Sequence, residues 1–207
     1  MEYEQFSTIY KALHSASANS SLSQDNVIEA IKSQLSPDSD GYKEWEEGNF
    51  SLDHVFTTVN DYKVESKHTL LTCACKSADL KVVDFLLRAG VNVNVAAGDE
   101  NPFTAAIENE YVDSKKDAKA IVDLLIEKVD AHVSAADENV NNTIAKAVER
   151  GNLRVFNALI KAGANVNIQV HEMPILKWAE FHQPDPRIKK EDMEEIINTL
   201  RACLQTK

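Results

Sequence analysis

Apolar residues return every three to four positions through two stretches of this chain that are nearly copies of each other. Leu80, Val82, Val83, Leu86 and Leu87 form one stripe, and Leu153, Val155, Phe156, Leu159 and Ile160 form the other. That spacing puts each set on a single helical face, which must be buried against a neighbour. Moving residues 69–94 forward by 73 lays them on residues 142–167, with Ala74 falling on Ala147 and Gly90 on Gly163. An offset of 73 equals two units of about 33 residues plus a short insertion, a period typical of stacked helix pairs. Within the first copy the pattern predicts a short helix over 69–76 and a second over 80–88. Gly90 and Gly163 then stop the second helix of each copy, because the residue just past a helix often needs positive φ.

Two further units fit the same register with extra residues in their turns. Asn101-Pro102-Phe103-Thr104-Ala105-Ala106 opens one, and Ile121, Val122, Leu124 and Leu125 supply its second helix. Met173-Pro174-Ile175-Leu176-Lys177-Trp178-Ala179 opens the other, followed by Ile196, Ile197 and Leu200. The polar insertions at 110–118 and 182–191 read as loops on one edge of the array, the second holding Pro184 and Pro186. Residues 1–63 are less regular. Helices are predicted over 4–15 and 25–35, and Ser36-Pro37-Asp38-Ser39-Asp40-Gly41 is a break. Beyond it, Gly48-Asn49-Phe50 echoes Gly151-Asn152-Leu153, and Leu52, Val55, Phe56 and Val59 read as a helical stripe. Residues 42–63 are therefore expected to be a decayed repeat, and 1–63 as a whole a helical amino-terminal cap. Residues 64–207 then hold about four repeats and a carboxyl-terminal capping helix, since array ends need a polar outer face.

The motifs inside these units resemble the ankyrin repeat. The family's opening Thr-Pro-Leu-His-x-Ala corresponds to Thr69-Leu70-Leu71-Thr72-Cys73-Ala74 and to Asn101-Pro102-Phe103-Thr104-Ala105-Ala106. Its closing Gly-Ala-Asp-Val-Asn corresponds to Gly90-Val91-Asn92-Val93-Asn94 and Gly163-Ala164-Asn165-Val166-Asn167, with Asp130-Ala131-His132-Val133-Ser134 a weaker match. The motif histidine is replaced throughout, by Thr72, Thr104, Ala145 and Leu176. The resemblance implies an all-α solenoid of antiparallel helix pairs joined by short turn or hairpin loops. It also implies a concave binding face for a protein partner. Carried over by register, that face takes the turn positions His68, Glu100, Asn141 and Glu172. On the first helices it takes Lys76, Ser77, Glu108, Asn109, Glu149, Arg150, Glu180 and Phe181. The family further implies hydroxylation of the closing asparagines, here Asn94 and Asn167.

Charge and the scarcity of chemistry narrow the function. The net charge is −11, and residues 1–66 carry 12 acidic side chains against 4 basic ones. Such a surface repels nucleic acid and anionic lipid. The six glycines all serve helix ends and turns, leaving none for a phosphate-cradling loop. Cys73, Cys75 and Cys203 lack the spacing of a zinc or redox site, and no two of the six histidines stand three or four apart. The expectation is a monomeric, non-enzymatic, cytoplasmic protein-binding module with no metal or cofactor, neither signal peptide nor membrane span. The alternative is a secreted bacterial effector or adaptor, exported into a host cell without a cleaved signal, in which residues 1–63 recruit or perform an activity on the bound partner. Degenerate ankyrin repeats and the acidic run Glu191-Asp192-Met193-Glu194-Glu195 motivate it. A third reading, an enzyme using Cys73 or Cys75, requires an exposed thiol of low pKa.

Overall fold

A computed structural model describes residues 1–18, 24–98, 100–110, 116–129, 138–181 and 187–205. The closing motif at 130–134 lies outside the described residues, as do parts of both insertions, 111–115 and 182–186. The chain forms two compact units, Met1–Pro102 and Phe103–Lys207.

The first unit runs through α1 (Tyr3–Ser17), α2 (Gln24–Lys32), α3 (Asp40–Glu47), β1 (Phe56–Val59), β2 (Glu65–His68), α4 (Leu70–Ser77) and α5 (Leu80–Arg88). Helix α1 packs on α2, α3, α5 and β1, and buries Phe6, Ile9, Ala12, Leu13 and Ala16. Ser39 caps α3 through the Tyr42 N–H, and Thr69 caps α4 through the Thr72 N–H at 3.0 Å. The Thr69 hydroxyl also donates to the Thr72 hydroxyl at 2.8 Å, so Thr72, in the place of the motif histidine, is anchored inside its own turn.

The helical stripe expected at Leu52, Val55, Phe56 and Val59 is replaced by an antiparallel hairpin. Strand β1 pairs with β2, setting Phe56 opposite His68 and Val59 opposite Glu65. The reason is legible afterwards. Thr57, Thr58 and Val59 are β-branched, and burial alternates along the strand, with Phe56 and Thr58 inside. Asn60 closes the turn by accepting the Tyr62 and Val64 N–H groups on its side chain. The echo of Gly151 at Gly48 also fails in geometry, since here Asn49 and Phe50 take the left-handed backbone, both at φ 53°. The fold is therefore mostly helical rather than all-α.

The second unit holds nearly all of α6 (Pro102–Glu110), then α7 (Ala118–Val129), α8 (Glu138–Glu149) and α9 (Leu153–Lys161). A two-stranded hairpin follows, β3 (Gln169–Val170) with β4 (Met173–Pro174), then α10 (Ile175–Phe181) and α11 (Lys190–Gln205). Helices α8 and α9 pair, as do α10 and α11. Across pairs, α7 packs on α9, α9 on α11, and α8 on α10.

The two repeat copies share local geometry residue by residue. Ala78 and Gly151, equivalent at the offset of 73, are left-handed at φ 55° and 56°. Asp79 and Asn152 follow as helix caps, accepting the Val82 and Val155 N–H groups at 3.3 and 3.2 Å. Gly90 and Gly163 end the second helices at φ 82° and 87°. Beyond them, Asn92 and Asn165 accept the Asn94 and Asn167 N–H groups, each at 2.9 Å. No helix among the described residues is long and apolar enough to cross a membrane.

Candidate protein-binding surface

Four of the residues expected on a binding face come together in the first unit. His68, Lys76, Ser77 and Glu100, with Tyr3, Thr72 and Cys73, line a cleft of about 340 Å³. Strand β2 delivers His68, and α4 delivers Thr72, Cys73, Lys76 and Ser77, because Thr72 and Cys73 lie one helical turn before Lys76 and Ser77. Glu100 comes from the turn before α6. Lys76 bonds Glu100 at 3.0 Å across the cleft. The His68 ring stacks on Phe6 at 4.9 Å, meets Tyr3 edge-on at 5.5 Å, and its Nε2 lies 2.9 Å from the Thr58 hydroxyl. Tyr3 belongs to α1, and nothing in the repeat register pointed to it.

Burial first, and the nearby Lys76 charge second, hold His68 below the ordinary imidazole range, with Glu100 opposing. The unfolded chain therefore binds a proton more readily than the folded one. Stability linked to His68 is fully present above about pH 6.5 and is lost as pH falls toward its folded value. Urea midpoints measured from pH 7.5 down to 5.5 should fall more steeply for the native chain than for His68→Gln. Parallel slopes would refute this.

The thiols are poor nucleophiles in this setting. Burial pushes Cys73 up to about 11. Cys75 is fully buried and is driven up by the same cause. Both are neutral thiols near pH 7. The described residues contain no group of three or more His, Cys, Asp and Glu able to hold a metal ion.

In the second unit the expected residues divide. Glu108, Glu149 and Arg150 meet, with Lys146, in one charged network linking α6 to α8. Arg150 bonds Glu108 at 2.5 Å, and Lys146 reaches Glu108 and Glu149 at 2.8 Å each. Burial raises the Glu108 pKa, but hydrogen bonds from Arg150 and Lys146 outweigh it and hold the carboxyl below its usual range. Beside it Arg154 pairs with Glu110 and Asp123, and the Asn152 side chain donates to Glu110. For Glu110, burial wins and the pKa is raised. These charges face one another before they face a partner. Arg150→Ala should therefore lower thermal stability, by about 1 kcal/mol for a half-exposed network, and high salt should shrink the difference. An unchanged melting temperature at low salt would count against a structural role.

Asn109 is largely buried, only 9% exposed, and offers little to a binding face. Asn141, expected at a turn, lies inside the first turns of α8, because that helix begins at Glu138. Glu172 does sit at a turn tip, where His171 and Glu172 both have positive φ, 50° and 63°, as a two-residue hairpin between β3 and β4 requires. Glu180 is held by Arg201 at 2.7 Å, and Phe181 beside it is 76% exposed. Asn167 is exposed, whereas Asn94 is half-buried.

A search of curated proteins returns no match. Residues 66–95, from the end of β2 through α4 and α5 to the closing asparagine, match the ankyrin repeat family, which supports reading the chain as an ankyrin-repeat protein.

Proposed function

We propose that this chain is a non-enzymatic protein-binding module that presents a concave face built from ankyrin-like repeats, four in number, with residues 1–63 as their amino-terminal cap. Ankyrin repeats generally mediate protein–protein interactions. The observation that carries the proposal is the cleft on the matched repeat, where the turn residue His68 and the first-helix residues Lys76 and Ser77 converge. Its mechanism is rigid presentation. Buried stripes on α5 and α9 hold the helices, which leaves the turn tips and first helices free to vary in chemistry. The occupant is a protein segment, because the cleft mixes the Lys76 cation, the Glu100 anion, the hydroxyls of Tyr3, Thr72 and Ser77, and the rings of Tyr3 and His68, as protein surfaces do.

The test is affinity capture from cell extract with the native chain beside Lys76→Ala/Ser77→Arg and, separately, Phe181→Ala. These positions are exposed, so the fold is retained. A protein captured by the native chain and lost with either variant supports the reading. Capture unaffected by both, but abolished by changes in α2 or α3, would move the function to the amino-terminal segment and overturn it.

A further inference from the structure

The β1–β2 hairpin has one closed edge and one open edge, and the open edge is complementary to itself. On β1, the Val59 N–H donates to the Met1 carbonyl at 2.9 Å, and the Thr57 carbonyl accepts from the Met1 nitrogen at 3.0 Å. Thr57 N–H donates to Glu44 at 2.7 Å. Thr57 and Val59 thus turn their backbone groups away from β2. Antiparallel ladders alternate in this respect, so Asn60, Thr58 and Phe56 exchange bonds with Val64, Ser66 and His68. The Asn60 N–H donating to the Val64 carbonyl at 3.2 Å fits that parity. Glu65 and Lys67 are left with N–H and C=O groups directed to the outer edge of β2, and β2 pairs with β1 alone among the described strands.

We infer that this edge joins a second copy of the chain, strand β2 running antiparallel to its symmetry mate about a two-fold axis at Ser66. Only residues with outward backbone groups can form the hydrogen-bonded pairs. In this register they are Glu65 with the mate's Lys67 and Lys67 with the mate's Glu65, giving four backbone bonds. Each pair also sets a carboxylate beside an ammonium on one face of the sheet. A parallel in-register pairing would set like charges side by side, and a one-residue slip would set one charge opposite Ser66 and the other opposite Val64 or His68. An edge lysine ordinarily discourages strand pairing. Here it admits one partner arrangement and rejects the others.

A second observation falls on the same edge. Among the described residues the large apolar side chains left exposed are Tyr3, Tyr62, Val64 and Phe181, and the first three adjoin β2. Tyr62 is 88% exposed in the hairpin turn, Val64 precedes β2, and Tyr3 lies against His68. In the two-fold register Val64 falls opposite the mate's His68, beside the mate's Tyr3. The apolar side chains are thereby covered in pairs. So short a strand buries less than a standard interface, so the dimer is transient, with a dissociation constant between about 10 μM and 1 mM. This self-association does not depend on the protein-binding reading above and departs from the monomeric expectation.

Sedimentation equilibrium of the full chain over a concentration series tests it. The native chain should show a monomer–dimer equilibrium. Lys67→Glu alone and Glu65→Lys alone, both at exposed positions, should each be monomeric, with unchanged circular dichroism. Mixing those two variants should restore a dimer, since one strand is then all acidic and the other all basic. A native chain that stays monomeric at about 1 mM overturns the inference. So does a dimer that survives both reversals, or a mixture that fails to associate.

Discussion

Trp45→Ala should cost the first unit about 4 kcal/mol, a large share of the 5–15 typical of a folded domain. The side chain is fully buried, and its indole N–H donates to the Ser51 carbonyl at 2.8 Å. Its ring packs edge-on to Phe50 at 5.4 Å and tilts against Phe56 at 6.4 Å. Phe56 in turn meets Phe6 of α1 at 5.3 Å, and Phe6 stacks on His68. Truncation therefore opens a cavity at one end of an aromatic chain linking α3, the hairpin, α1 and the repeat. It also strands a carbonyl. Trp45→Phe separates these effects: most of the volume stays, and the loss should be about 1–2 kcal/mol for the unpaired carbonyl and the residual gap. Urea denaturation followed by far-UV circular dichroism reads both. A loss below about 1 kcal/mol for the alanine variant would mean the aromatic chain is not a cooperative element.

What the sequence revealed here depended on whether a residue's neighbours were local. Helix pairs α4–α5 and α8–α9 were readable because stripe, cap and stop lie within about 20 residues, and duplication showed the same solution twice. Cys75, at the place where the ankyrin resemblance implies a small buried alanine, is fully buried. The hairpin was missed because Leu52, Val55, Phe56 and Val59 suit a helix by spacing, whereas the strand is selected by pairing with Glu65–His68. That pairing is non-local, and β-propensity follows such context. At the candidate surface, register named His68, Lys76 and Ser77. It could not name Tyr3, which arrives from α1 some 65 residues earlier in the chain. Nor could it foresee that Glu108, Glu149 and Arg150 neutralise one another, since ion pairing between α6 and α8 depends on side-chain reach across helices.

The duplication also allows a backbone effect to be measured twice, with and without crowding. Gly151→Ala should destabilise the second unit by about 2–5 kcal/mol, and Gly163→Ala by only about 1–2. Both glycines are left-handed, at φ 56° and 87°, so alanine is strained at each by about 1–2 kcal/mol. They differ in what a Cβ would meet. At Gly163 there is nothing within 4 Å, whereas at Gly151 the Ile188 Cγ2 stands well inside van der Waals contact. Such an approach forces a shift of backbone or of Ile188, which adds about 1–3 kcal/mol of overpacking. Ile188→Ala placed on Gly151→Ala should recover that second part and leave the strain, so the two changes should couple by at least about 1 kcal/mol in a double-mutant cycle. Ala78, the equivalent of Gly151 in the first repeat, shows that the strain alone is tolerated, since it holds φ 55° with a Cβ in place. Ala78→Gly should accordingly cost little or stabilise. Equal losses at Gly151 and Gly163 would mean that Ile188 gives way freely, and the close packing of that turn would then contribute nothing to the stability of the unit.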